Sequence, residues 1–192
     1  VHNGQPALKY EASLENLPLM IPTYDISTIG AGGGSLARAE NGLLRVGPQS
    51  SGANPGPVCY GKGGTQPSFT DAALTMGYLN SKNFLGGEMP LESEKAKFAI
   101  QQHVAEPLGL DVVSACRGIY DVLLAKTVSA VREITVEAGL DPREFSMLGF
   151  GGGGGMFVPL VGREMKTSEI IIPQASSVFS AWGMLMTDIV QE

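Results

Sequence analysis

The residues of this sequence best placed to meet a ligand carry no functional groups at all. Gly151 to Gly155 form an unbroken run of glycine, entered from Phe145 to Leu148 and left through Met156-Phe157-Val158. Without a Cβ, such a backbone takes positive φ easily and can come into contact with a bulky ligand. Between a strand and the start of a helix it gathers free N–H groups and the positive end of a helix dipole, which is how a phosphate or nucleotide is held. A flexible linker is the competing explanation. Linkers contain serine and other polar residues, whereas this run is bracketed by Met147-Leu148 and Met156-Phe157, so it reads as a ligand-contacting loop.

Two nucleotide fingerprints fail here. Gly149, Gly151 and Gly154 satisfy G-x-G-x-x-G, a weak signal where almost every residue is glycine. The ribose-binding acid due about 20 positions on is replaced by Ile172-Pro173-Gln174. A Walker-type phosphate loop needs glycine before Lys-Thr, and neither Lys126-Thr127 nor Lys166-Thr167 has one.

Other clusters carry less. In Gly30-Ala31-Gly32-Gly33-Gly34-Ser35, Ser35 could cap a turn or donate to an anion, and a tight turn alone would also explain the glycines. Gly47 to Gly64 holds six glycines and three prolines, the composition of an ordered loop long enough to be functional. Cys59 inside it would need a neighbouring base to act as a nucleophile. Only His2 and His103 exist, with no evident route to it, so a buried structural thiol is expected. Asp71 most simply caps a helix from Ala72 to Leu79, a substrate or metal carboxylate being the less simple role. His103 reads as a surface or interhelix residue. No histidine pair and no His/Cys/carboxylate cluster has metal-ligand spacing, so no metal site is assigned.

The elements that position these residues follow from periodicity and punctuation. Residues 1–90 are strand- and loop-rich, with Ala7 to Tyr10, Tyr24 to Ile29 and Leu43 to Val46 as strands. In residues 91–192, Ser93 caps a helix that Pro107 and Gly109 end, and Asp111 caps a longer one stopped at Gly139. Asp141-Pro142-Arg143-Glu144 starts a short turn. Phe145 to Leu148, the glycine run, a helix from Met156 to Glu164 and Ile170 to Ile172 then form a β-loop-α-β unit, which predicts α/β architecture with a parallel strand pair.

Composition sets outer bounds. The 192 residues suit one domain, and the net charge of -6 argues against nucleic acid or an anionic membrane as main partner. Two cysteines give no disulfide framework, and nothing resembles a signal peptide. Val178 to Met186 is too short to span a bilayer, and a soluble cytoplasmic protein is the expectation. Starting at Val1 and stopping just after an apolar, helix-like run from Ala181 to Met186 suggests a segment of a longer polypeptide.

Taken in order, the glycine clusters closely resemble the hydantoinase A / 5-oxoprolinase family. The likeness rests on Asp25-Ile26-Ser27-Thr28-Ile29-Gly30-Ala31-Gly32-Gly33-Gly34-Ser35, on Val46-Gly47-Pro48 through Cys59-Tyr60-Gly61 to Gly63-Gly64, on Thr70-Asp71-Ala72, on Phe150-Gly151-Gly152 and on Val178-Phe179-Ser180-Ala181-Trp182-Gly183. It implies a partial actin-like ATPase (ribonuclease H-like) lobe, with ATP and Mg²⁺ held between two α/β lobes. Gly151, Gly152, Gly153 and Gly154 resemble the family's adenosine-binding loop, and Gly32, Gly33, Gly34, Ser35 and Asp71 become candidates for lining the cleft. The family's Asp-Gly-Gly-Thr-type phosphate loops are missing, so the N-terminal remainder of the polypeptide is expected to supply them and most of the metal site. Phe157 stands where the family commonly has histidine, and Ser27 where it often has His or Arg; both bear on substrate identity.

The activity so implied is ATP-dependent opening of a cyclic amide, such as a hydantoin, N-methylhydantoin or 5-oxoproline, with a hydantoinase B-type subunit as a candidate partner. Two alternatives stay open: the ATP-binding subunit of an acetone- or acetophenone-type carboxylase, and a nucleotide-binding or assembly module without chemistry of its own.

Overall fold

In the computed structural model of the chain, residues 8–9, 12–14, 17–19, 23–24 and 26–186 are described. The architecture is mixed α/β. Four two-stranded sheets pair β1 (Leu8–Lys9) with β4 (Thr23–Tyr24), β2 (Ala12–Leu14) with β3 (Leu17–Leu19), β5 (Ser35–Glu40) with β6 (Leu43–Ser50), and β7 (Ser146–Leu148) with β8 (Glu169–Ile171). The first three pairs are antiparallel and the last is parallel, with Met147 opposite Ile170. The helices are α1 (Phe69–Thr75), α2 (Ser93–Ile100), α3 (Glu106–Leu108), α4 (Val112–Ile134), α5 (Gly154–Met165) and α6 (Phe179–Met186).

The β5–β6 hairpin turns on Asn41-Gly42, both with positive φ (52° and 74°), the conformation that matches the twist of paired strands. Sequence reading found only Leu43 to Val46 here and missed the partner strand, although the Asn-Gly pair announces it. Ala37 and Val46 face each other across the hairpin and are buried against α1 and α4. The run Tyr24 to Ile29 does not form one strand. Only Thr23–Tyr24 pairs, and Ile26 and Ile29 are exposed, because no neighbouring strand is offered to their backbone. Of Ala7 to Tyr10, Leu8–Lys9 is a strand, while Ala7 and Tyr10 lie outside the described residues.

α1 stands where a helix from Ala72 to Leu79 is expected, but it starts three residues earlier and ends at Thr75. Its cap is Ser68, not Asp71: Ser68 Oγ accepts from the Asp71 N–H, and Asp71 Oδ2 accepts from the Ser68 N–H at 2.7 Å. This is a capping box with aspartate in the glutamate position. Asp71 also accepts from the N–H groups of Cys59 (2.7 Å) and Val58 (3.2 Å) and from Ser68 Oγ (2.8 Å) while fully buried. One carboxylate thus ties the glycine- and proline-rich loop to the start of α1.

α4 is the central rod. Asp111 caps it, accepting from the Ser114 N–H at 3.0 Å. Cys116, Ile119, Tyr120 and Leu123 recur at helical spacing and are buried. They close the main core with Phe69, Ala72 and Ala73 of α1 and with Ile100 and Val104 from α2 and the π-helical segment Gln101–Ala105 that follows it. That segment was read simply as continuing helix; it ends as expected at Gly109 in the left-handed region. Ser93 sits inside the first turn of α2, with Glu92 at the cap.

The β7–loop–α5–β8 unit forms as read. Its packing is close enough to dictate two glycines. A Cβ on Gly149 would lie 2.7 Å from Val158 Cβ, and one on Gly162 would lie 2.5 Å from Ile170 Cδ1. No helix among the described residues is long and apolar enough to cross a membrane.

Two outcomes follow for equilibrium unfolding in urea. Asp71→Ala strands three buried N–H groups and a hydroxyl, and should lower stability by about 3–5 kcal/mol. Gly149→Ala forces strand and helix apart and should cost about 1–3 kcal/mol; wild-type stability in either variant contradicts the packing described.

Candidate functional site

The two short glycine loops, distant in sequence, face one cleft. Gly33 and Gly153 both line two adjoining cavities of about 310 and 340 Å³. The first is apolar, walled by Ile29, Ala31, Phe69, Leu123, Phe150 and Phe157, with Thr127 as its one side-chain hydroxyl. Phe69 is its floor: its ring lies 4.5 Å from Tyr120 and meets Phe157 edge-on at 5.5 Å. The second cavity brings Gly33 and Gly34 opposite Gly152 and Gly153, with the hydroxyls of Tyr60, Thr70 and Ser177 around them. Among the described residues no charged side chain lines either cavity. A larger hollow of about 660 Å³ lies along the outer face of α4, beside Lys126, Glu133 and Glu137. It is an open trough that touches neither glycine loop.

The first loop is pinned by its carbonyls. Gly32 O accepts from Ser35 N–H (3.0 Å), Gly33 O accepts from both the N–H (2.9 Å) and the hydroxyl (2.8 Å) of Thr70, and Gly34 O accepts from Ser51 N–H (2.8 Å). Ser35 is buried and its Oγ accepts from Gly32 N–H at 2.9 Å. Its hydroxyl therefore braces the loop from behind and lines neither cavity. The neighbouring Ser51 Oγ is buried with no partner.

In the second loop the glycines divide by role. Gly151 takes φ 86° and donates to Ser176 O at 2.7 Å, which fixes the bend. Gly152 and Gly153 have nothing within 4 Å of where a Cβ would stand. The fold does not require glycine at these two positions; the cleft is what a side chain there would enter. Gly153 is the N-cap of the twelve-residue α5, and no side chain caps that end. Gly154 lines the apolar cavity and donates to Gly151 O at 3.4 Å.

Asp71, a candidate for lining the cleft, is turned away from it with both oxygens occupied. Its neighbour Thr70 is the residue of that motif that reaches the cavity. Cys59 is buried with its thiol pushed well up by burial and by the Asp71 charge, so it stays protonated and is no nucleophile. Burial, with Cys59 and Asp71 beside it, raises the Tyr60 phenol, leaving a hydroxyl that can donate. His103 is exposed, and His2 lies outside the described residues. Among the described residues no three His, Cys, Asp or Glu side chains cluster to hold a metal. Sequence reading did not single out Tyr60, Thr127 or Ser177 as lining residues; nothing in spacing marks them, since the fold alone brings them together.

The chain is 44% identical over 170 residues to the caprolactamase alpha subunit of Pseudomonas jessenii, covering 88% of this chain and 24% of that protein. The crystal structure of the ATP-dependent caprolactamase from the same organism superimposes with a TM-score of 0.86 at 41% identity, over 95% of this chain and 26% of that one. Nucleotide-free acetone carboxylase superimposes with a TM-score of 0.89 at 29% identity, over 96% and 26%. The chain thus spans about a quarter of the length of these relatives. With the hydantoinase/oxoprolinase family model matched over residues 1–192, this chain belongs to the hydantoinase/oxoprolinase family.

Proposed function

We propose that this chain is the nucleoside-binding part of an actin-like ATPase lobe in an ATP-dependent enzyme that opens a cyclic amide, a hydantoin, N-methylhydantoin or 5-oxoproline. The observation that carries this is the open space at Gly152 and Gly153, glycines the fold does not demand, on the wall of a cleft whose other side is also glycine. A flat nucleoside can rest against bare backbone there, with its base toward the apolar cavity floored by Phe69. Bound ATP would supply the γ-phosphoryl group that activates the resonance-stabilised amide carbonyl. The role of this chain is to hold and orient: Gly151 to Gly154 present backbone, and Phe157 and Phe69 exclude water from the base. Mg²⁺ has no ligand set among the described residues. We assign it to other parts of the complete protein, and no step here is routed through it.

The kinship to a caprolactamase favours amide opening. The close superposition on acetone carboxylase supports a second reading, in which the same ATP use activates a ketone or bicarbonate for carboxylation. A hydantoinase B-type subunit is the proposed partner for either chemistry.

The complete protein, with that partner, should release phosphate from ATP only when a lactam or hydantoin from a panel is added. Release with acetone and bicarbonate but with no cyclic amide would select the carboxylase instead. ATP binding without stimulation by either group would leave an assembly module. Separately, Gly152→Ala and Gly153→Ala should leave thermal unfolding unchanged and weaken adenosine binding about tenfold, a loss of about 1.4 kcal/mol. Wild-type affinity in both variants would remove the loop from the site.

A further inference from the structure

Among the described residues, Thr127 carries the only polar side chain in the wall of the 310 Å³ apolar cavity. It lies on α4 one turn after Leu123, and its hydroxyl donates to the Leu123 carbonyl at 2.9 Å. A threonine inside a helix often bonds back in this way, and the bond fixes its rotamer. A hydroxyl has a single proton to give. With that proton committed to Leu123, Thr127 Oγ1 offers the cavity lone pairs and no donor. The glycine carbonyls of the same wall are already engaged: Gly33 O accepts twice from Thr70, Gly32 O from Ser35 N–H and Gly153 O from Met156 N–H. The chamber is thus an apolar slot with one oriented side-chain acceptor.

We propose that Thr127 selects the base: its hydroxyl oxygen accepts from an exocyclic amine on the flat ring seated in this cavity, so an aminopurine is preferred to a purine without the amine. The inference deepens the nucleoside reading above and rests on it for the ligand's location. Apolar walls separate rings of one shape only weakly, since each ring gains about the same from leaving water. A single acceptor in such a wall changes this. A ring with the amine satisfies it, and a ring without the amine leaves it desolvated and unpaired. A carbonyl in the amine's place would set oxygen against oxygen. Phe69 and Phe157 supply apolar contact that every purine can use, which leaves Thr127 to tell the purines apart.

The test is titration calorimetry on the complete protein with adenosine and purine riboside, two nucleosides that differ only in the amine. The wild type should bind adenosine about tenfold more tightly than purine riboside. Thr127→Val, nearly the same in shape, should lose that preference by weakening adenosine alone, and Thr127→Ser should keep it. Unchanged affinity for purine riboside shows that the variant has folded, and Thr127→Ala gives the same reading where Thr127→Val does not fold. Equal affinity of the wild type for the two nucleosides overturns the selection, needs no variant and leaves the nucleoside reading standing. A preference that survives in Thr127→Val also overturns it, as does an equal loss of both ligands there, which would make Thr127 a packing residue. If neither nucleoside binds the wild type, the nucleoside reading itself fails and the selection goes with it.

Discussion

The buried carboxylate of Asp71 is the interaction on which the rest of the site depends. It accepts from three backbone N–H groups and one hydroxyl in a position with no solvent access, and such a group is retained only when its bonds are all made. Because two of those donors, Val58 and Cys59, belong to the long irregular loop, the carboxylate fixes where that loop meets α1. The start of α1 then places Phe69 and Thr70, its first two residues. Phe69 becomes the floor of the apolar cavity, and Thr70 becomes the peg for the Gly33 carbonyl. A residue that never touches the cleft therefore controls both of its chambers.

The glycines separate by the same physics. Where a Cβ would strike a neighbour, as at Gly149 and Gly162, glycine serves strand–helix packing. Where φ is positive, as at Gly151, it serves the bend. Where neither holds, as at Gly152 and Gly153 on the cleft wall, the fold does not call for glycine. Glycines that look alike in sequence thus answer to different requirements of packing and of backbone conformation.

Much of this was legible in the residues. The β-loop-α-β unit follows from an apolar segment, a glycine run and an isoleucine triplet closed by Pro173, because such patterns are local. The long helix was legible from Asp111 and the period of Cys116, Ile119, Tyr120 and Leu123. What could not be read was set by distant partners. Asp71 looks like a helix cap because caps are local and common, whereas its bonds to Val58 and Cys59 span thirteen and twelve residues. Ser35 looks like a donor to a ligand, but the loop folds back and buries its hydroxyl, whose oxygen accepts from the Gly32 N–H. Ile26 and Ile29 look like strand residues, but strands need neighbours, and among the described residues no strand pairs with them. Thr127 and Ser177 enter the cleft only because α4 and the segment before α6 converge there.

The two walls of the cleft are anchored to different elements. Gly33 is pinned to α1 through Thr70, and Gly153 begins α5, with Gly151 held by Ser176. The elements meet near the cleft through the edge-on contact of Phe69 with Phe157. Met156 and Leu160 of α5 pack beside Phe157 against the same core, so apolar packing holds the two glycine loops in place. Close-packed rings resist small displacements, so the gap is fixed before a ligand arrives, and ordering its walls costs little on binding. A smaller or polar side chain in place of Phe157 would change that spacing and the dryness of the apolar chamber together.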